Sequence, residues 1–121
     1  MKALLLIAHG SRREQSNQEV FTLVEQLKAT HLAGYELYQA GFLEIAQPSI
    51  LDAIESSVNE GASSVVLLPY FLNSGNHVVQ DIPNIINQAK LKHPNLAIHV
   101  TEHVGASDLM LDLIVGLAKK S

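Results

Sequence analysis

The sequence predicts an α/β fold, a three-layer sandwich around a four-stranded parallel sheet in the order 2-1-3-4. Three observations carry that expectation. Two short runs, Leu4-Leu5-Leu6-Ile7 and Val65-Val66-Leu67-Leu68, are wholly apolar and end at turn-forming residues, the pattern of strands buried on both faces. Segments with apolar residues at helical spacing follow each strand. Strand and helix then alternate four times, which right-handed crossovers turn into a parallel sheet covered on both faces.

The first strand is expected at Lys2 to Ala8, ending at His9 and Gly10. Ser16 or Asn17 opens a helix to about Thr30, with Val20, Val24 and Leu27 on one side. The second strand, Tyr35 to Leu43, is interrupted by Gln39, Ala40 and Gly41 and suits a sheet edge. Pro48 and Ser49 mark a helix start, Ile50, Leu51, Ile54 and Val58 supply its apolar face, and Gly61 fits its end. The third strand is Ser64 to Pro69.

A long loop, Tyr70 to Gln80, comes next and exceeds the usual two to six or so residues of a βα connection. Asp81, as N-cap, and Pro83 then begin a third helix, which His93-Pro94 breaks. The fourth strand is Leu96 to Thr101, Gly105 to Ser107 is a turn, and the last helix runs from Asp108 to about Lys119.

The chain's 121 residues suit one domain, 1–121, able to bury a core. A net charge of −4 argues against a general nucleic-acid or anionic-membrane binder. Without cysteine there is no disulfide, thiolate metal site or cysteine nucleophile. The amino-terminal apolar run is short for a signal peptide, and nothing approaches the roughly 20 apolar residues of a membrane span. The expectation is a cytoplasmic domain with no nucleic-acid or membrane partner.

In a sheet of this order the switch point lies between strands one and three, where open α/β sheets bind ligands. Four groups fall just after the four strands: His9, Glu44, His77 and His103. His9 is the leading candidate, although a histidine there also serves simply as a turn cap. Ser11 and Arg12 beside it can bind an anion with the amides of the following helix start. His77 sits in Asn73-Ser74-Gly75-Asn76-His77-Val78, where Gly75 permits a close backbone approach to a ligand. Glu44 is either a site acid or an exposed strand end. His103 is weaker, since Glu102 beside it suits an ordinary polar turn. His31, His93 and His99 read as structural or solvated. Two imidazoles and a carboxylate suit a borderline divalent metal such as cobalt, nickel, iron or zinc, and a neutral imidazole also accepts protons near pH 7.

The segments His9-Gly10-Ser11-Arg12, Phe42-Leu43-Glu44 with Gln47-Pro48-Ser49, Pro69-Tyr70-Phe71-Leu72 running into Gly75-Asn76-His77-Val78, and Asp81-Ile82-Pro83 together resemble the class II tetrapyrrole chelatases of the short CbiX type. The likeness spans nearly the whole chain in order. It implies a chelatase-like fold and insertion of a divalent metal, cobalt first, with iron or nickel as alternatives, into sirohydrochlorin on the way to cobalamin or sirohaem. His9 and His77 fall on that family's two active-site histidines, as catalytic groups and metal ligands, and Glu44 on an acidic position near its site. Longer relatives carry two such units, so a chain with one is expected to form a homodimer with the cleft completed across a two-fold axis.

The metal is then a substrate, and no permanent cofactor is expected. One departure is that many relatives have a further histidine where this chain reads Gly105-Ala106-Ser107, so that third histidine ligand has no match in the turn, and His103 is a candidate substitute for it. Substrate contacts are expected from Ser11, Arg12, Phe71, Leu72, Gly75, Asn76 and Val78: the arginine for the macrocycle's carboxylates, with Arg13 beside it, and the apolar loop ends for its face.

Two rival functions use the same residues. A histidine phosphatase would phosphorylate His9 and bind phosphate through Arg12, but such enzymes usually have arginine directly before the histidine, where Ala8 stands. A metal or tetrapyrrole carrier would bind the same ligands without turnover.

Overall fold

In the computed structural model, residues 1–73 and 75–121 are described, and for residues 76–79 only the backbone. The element order is β1 (Lys2–Ala8), α1 (Glu14–Thr30), β2 (Leu37–Phe42), α2 (Ile50–Asn59), β3 (Ser64–Pro69), α3 (Asn76–Lys92), β4 (Ala97–Val100), a 3-10 turn (Val104–Ala106) and α4 (Leu109–Ala118). The strands form one sheet in the order β2-β1-β3-β4, with every pairing parallel. Leu5 of β1 lies between Gln39 and Leu67, and Leu6 between Ala40 and Leu68. The expected order and edge position of β2 are therefore both present.

Alternation along β1 sends its apolar side chains to both faces, and each face acquires its own core. Ala3, Leu5 and Ile7 join Val65 and Leu67 under Ile50, Ala53 and Ile54 of α2 and Ile82 and Ala89 of α3. Leu6 and Ala8 join Ala40 and Phe42 under Val20 and Val24 of α1. Full burial of a leucine or isoleucine stabilises by roughly 1.5–3 kcal/mol, so β1 anchors both cores. The Ser49 hydroxyl accepts from the Asp52 amide and starts α2. The bonds from Gly61 N to Val58 O and from Ala62 N to Ser57 O close its other end.

Several boundaries differ from expectation. α1 begins at Glu14, and Asn17, expected at its start, is buried inside it. α3 begins at Asn76 behind Gly75, so Asp81 is not its N-cap and Pro83 lies in its interior. An interior proline loses its own i→i−4 hydrogen bond and its ring crowds the carbonyl four residues back, yet the helix is continuous over Asn76–Lys92. The loop after β3 is accordingly shorter, and His77 belongs to the first turn of α3.

The last helix also departs from expectation. α4 has no buried residue and does not complete the cover over the sheet; it packs chiefly on the 3-10 turn. Leu109, Leu111, Leu113, Ile114, Val115 and Leu117 are exposed. Among the described residues no helix is long and apolar enough to cross a membrane.

Candidate functional site at the carboxyl edge of the sheet

β1 and β3 are neighbours whose onward connections leave in opposite directions, to β2 and to β4. The crevice at their carboxyl ends is thus the switch point. His9 follows β1 directly and is exposed. Its ring lies against that of buried Phe71, centroids 4.3 Å apart and planes tilted by 38°. The Tyr70 amide donates to the Ile7 carbonyl at 2.7 Å, which holds the segment carrying Phe71 beside the end of β1.

On the other side the chain after β2 continues alongside β1. Leu43 N donates to Ala8 O at 2.9 Å and Glu44 N to His9 O at 3.1 Å. His9 and Glu44 are therefore joined through the backbone, with the Glu44 side chain exposed. Gly10 takes φ +91°, and a Cβ there would overlap the Glu44 carbonyl oxygen. The glycine is required by this approach as well as by the turn.

The loop from Ser11 to α1 is held from within the fold. The buried Asn17 side chain accepts from Ser11 N at 2.9 Å and donates to Ser11 O at 2.8 Å. Ser11 Oγ accepts from Arg13 N at 3.0 Å. Ser11 is half-buried and Arg12 is exposed beside it. Arg13 donates to Gln15 at 2.7 Å, so its guanidinium is engaged within its own turn. Asn17 escaped sequence reasoning as a site-supporting residue. Its signal was an asparagine, a poor helix former, three residues into an amphipathic segment.

The segment after β3 is crossed by the turn after β4. Gly105 N donates to Phe71 O at 2.9 Å, and a Cβ on Gly105 would overlap the Leu72 carbonyl. This close crossing explains why the turn carries glycine at Gly105. His103, at the head of the turn, is half-buried. It lines a hollow of about 440 Å3 with Leu68, Thr101, Ser107, Leu109 and Leu113 among others, a size that suits a small-molecule pocket. A second hollow of about 250 Å3 lies over Tyr70, Phe71, Leu72 and Val104.

His9, Glu44, Ser11, Arg12, Phe71, Leu72, Gly75 and the backbone of His77 thus all belong to segments at one edge of the sheet. The side chains of Asn76, His77 and Val78, and all of Ser74, lie outside the described residues. Among the described residues no three His, Asp or Glu side chains are grouped so as to hold a metal ion.

A model of the CbiX family matches residues 3–121. The chain belongs to the CbiX family. It is 30% identical to the sirohydrochlorin cobaltochelatase of Methanocaldococcus jannaschii over 98% of both chains. It is 33% identical to the chloroplastic sirohydrochlorin ferrochelatase of Arabidopsis thaliana over 92% of this chain. Among solved structures it superposes with a TM-score of 0.85, at 28% identity and over 98% of this chain, on the sirohydrochlorin chelatase SirB from Bacillus subtilis subspecies spizizenii in complex with cobalt. The CbiX chain spans about half the length of some of these relatives, 48% of the Arabidopsis protein and 50% of the SirB chain.

Proposed function

We propose that this CbiX chain inserts a divalent metal, cobalt or iron, into sirohydrochlorin. The observation that carries the reading is His9: an exposed imidazole at the end of the central strand, backed by Phe71 and clasped by Glu44 through the backbone. The names of the relatives, which divide between cobalt and iron, support the reaction and both metals.

Insertion exchanges one divalent ion for two pyrrole protons, so the site must both present the metal and accept protons. His9 and His77 take these parts, one imidazole holding the metal while the other accepts a proton. Glu44, tied to the His9 backbone, orients the imidazole or relays the proton onward. Arg12 meets a substrate carboxylate, with Ser11 beside it, because a guanidinium matches a carboxylate through two parallel hydrogen bonds. Leu72, with Gly75, Asn76 and Val78 across the start of α3, lies against the macrocycle face, whereas Phe71, expected there too, is buried and backs His9 from the core. The metal is a substrate, and no permanent cofactor is needed. Two copies of the chain complete the cleft; relatives of twice its length have room for both units in one chain.

The test mixes protein, sirohydrochlorin and cobalt or iron and follows the macrocycle's absorbance. Turnover above the protein-free rate is expected. His9→Ala and His77→Ala should each lower it by about 100-fold or more with unchanged circular dichroism. A rate equal to the protein-free control would assign the chain to carriage of the metal or tetrapyrrole. Full activity in both variants would remove the two-histidine mechanism.

A further inference from the structure

Ile45 stands in a backbone conformation that its own chemistry opposes. Its φ is +70°, a region that a β-branched residue rarely enters because its Cβ crowds the backbone. The Ala46 amide donates to the Glu44 carbonyl at 2.7 Å, so Glu44-Ile45-Ala46 is a three-residue turn of the rare, strained hand. A glycine would accept this turn without that cost. The surrounding fold enforces it. Glu44 N is bound to His9 O on one side, and Phe42 N donates to Pro48 O at 2.9 Å on the other, so the chain must reverse between them. Leu43 packs against one core and Ala46 against the other, which fixes both flanks of the turn.

Packing does not explain the side chain that this turn carries. Ile45 is 59% exposed and is packed into neither core. Strained positions of this kind cluster where a ligand is held. Here the place in the fold identifies the ligand. Ile45 directly follows Glu44, whose amide is bound to the His9 carbonyl at 3.1 Å. On the β3 side of His9, Leu72 follows Phe71 and is 66% exposed. Bare aliphatic side chains thus stand on the segments to either side of His9, after β2 and after β3. A flat macrocycle with carboxylates on its rim has apolar faces that gain from aliphatic cover, and a charged edge that does not.

We propose that Ile45 is a substrate-contact residue: its side chain lies against the face of the sirohydrochlorin macrocycle beside Glu44, and the strained turn holds it there. This rests on the reading of sirohydrochlorin as the substrate.

The test measures binding of metal-free sirohydrochlorin to the full chain by absorbance, alongside urea denaturation and cobalt insertion. Ile45→Gly removes the side chain and relieves the turn, so stability and affinity part company. The urea midpoint should hold or rise. The dissociation constant and KM should rise by about 10-fold, with kcat within about two-fold of wild type. A purely structural residue would not weaken binding while leaving the fold as stable. Ile45→Leu keeps an apolar side chain of the same volume and should bind within about three-fold of wild type. Leu32→Ser removes a side chain that is 88% exposed between α1 and β2, at the opposite edge of the sheet, and should leave binding unchanged.

Ile45→Gly binding sirohydrochlorin as wild type does, in a chain that inserts metal, would overturn the contact and leave the proposed reaction standing. A loss shared in full by Ile45→Leu would assign the effect to the turn instead of the side chain and overturn it. Weak binding that follows from separation of two copies, seen by sedimentation, would overturn it in favour of a contact between chains. A wild type that binds no sirohydrochlorin would overturn the contact together with the reaction on which it rests.

Discussion

The His9 imidazole rests on the Phe71 ring, an exposed group held by a buried one, with centroids 4.3 Å apart. A side chain on a turn would otherwise sample several rotamers. Phe71 belongs to the main core with Leu5, Ile7 and Leu67, so its position is set by the packing of the sheet. His9 thereby inherits rigidity from the core while keeping its free edge in solvent, the combination a group that meets an outside ligand requires.

Phe71→Leu tests this relationship. Leucine keeps most of the buried apolar volume but loses the flat face against the imidazole. Metal insertion is expected to fall by about 10-fold, since small displacements of a reacting group are costly. Phe71→Ala should in addition destabilise the fold by roughly 3–5 kcal/mol. Unchanged insertion kinetics in Phe71→Leu, measured by absorbance with folding checked by circular dichroism, would show that the stacked ring does not position His9.

Gly10 offers a second test, with Gly34 as its control. Both have positive φ, +91° and +81°, but a Cβ on Gly10 would overlap the Glu44 carbonyl whereas one on Gly34 meets nothing within 4 Å. Gly34→Ala should therefore cost only the backbone strain, about 1–2 kcal/mol. Gly10→Ala should cost more, roughly 3 kcal/mol or above, because it must also part the His9 and Glu44 segments. Equal losses by urea denaturation would mean that the approach to Glu44 relaxes freely.

The same contrast shows what the sequence reveals. The doubly apolar runs identify β1 and β3, and the interruptions at Gln39 to Gly41 mark β2 as an edge; the observed order β2-β1-β3-β4 agrees. Strand ends then bring His9, Glu44 and His103 to one edge. The backbone bond from Glu44 to His9 is not legible, because a hydrogen bond between residues 35 positions apart leaves no local pattern. The start of α3 is misread for a local reason: Pro83 and Asp81 look like a first turn, while the polar residues from Asn73 to Asn76 look like loop. The position of α4 is misread for a global one. Periodicity tells which residues of a helix are apolar, and says nothing of which surface receives them.

Asn17 is the residue whose role changes most between sequence and structure. Its buried carboxamide closes two bonds on the backbone of Ser11. Asn17→Ala leaves a Ser11 N–H and C=O without those partners and should destabilise by about 1–3 kcal/mol. Although alanine is the better helix former, the loss should outweigh the gain of about 0.7 kcal/mol or less in propensity. Thermal unfolding measures the total, and faster amide exchange at Ser11 identifies its source. A variant as stable as wild type, with Ser11 still protected, would show the carboxamide to be dispensable.

At the opposite end of α3, Glu55 of α2 meets His93 at 2.6 Å and Lys92 at 3.4 Å, tying the two helices that cover one face of the sheet. The hydrogen bond from His93, with further help from Lys92, holds the Glu55 carboxyl below its ordinary value. A carboxylate lowered in the folded state stabilises it above the unfolded value, and the contribution disappears as pH falls through the folded one. Wild type should therefore exceed Glu55→Gln in urea resistance above the ordinary glutamate value of about 4.3, with the gap closing as pH falls below it and the carboxylate takes up its proton. Both proteins are measured at fixed ionic strength, because Glu55 and Lys92 reach solvent and salt weakens their attraction. A gap of constant size down to pH 3 would assign the contribution of Glu55 to packing and neutral hydrogen bonding instead of charge.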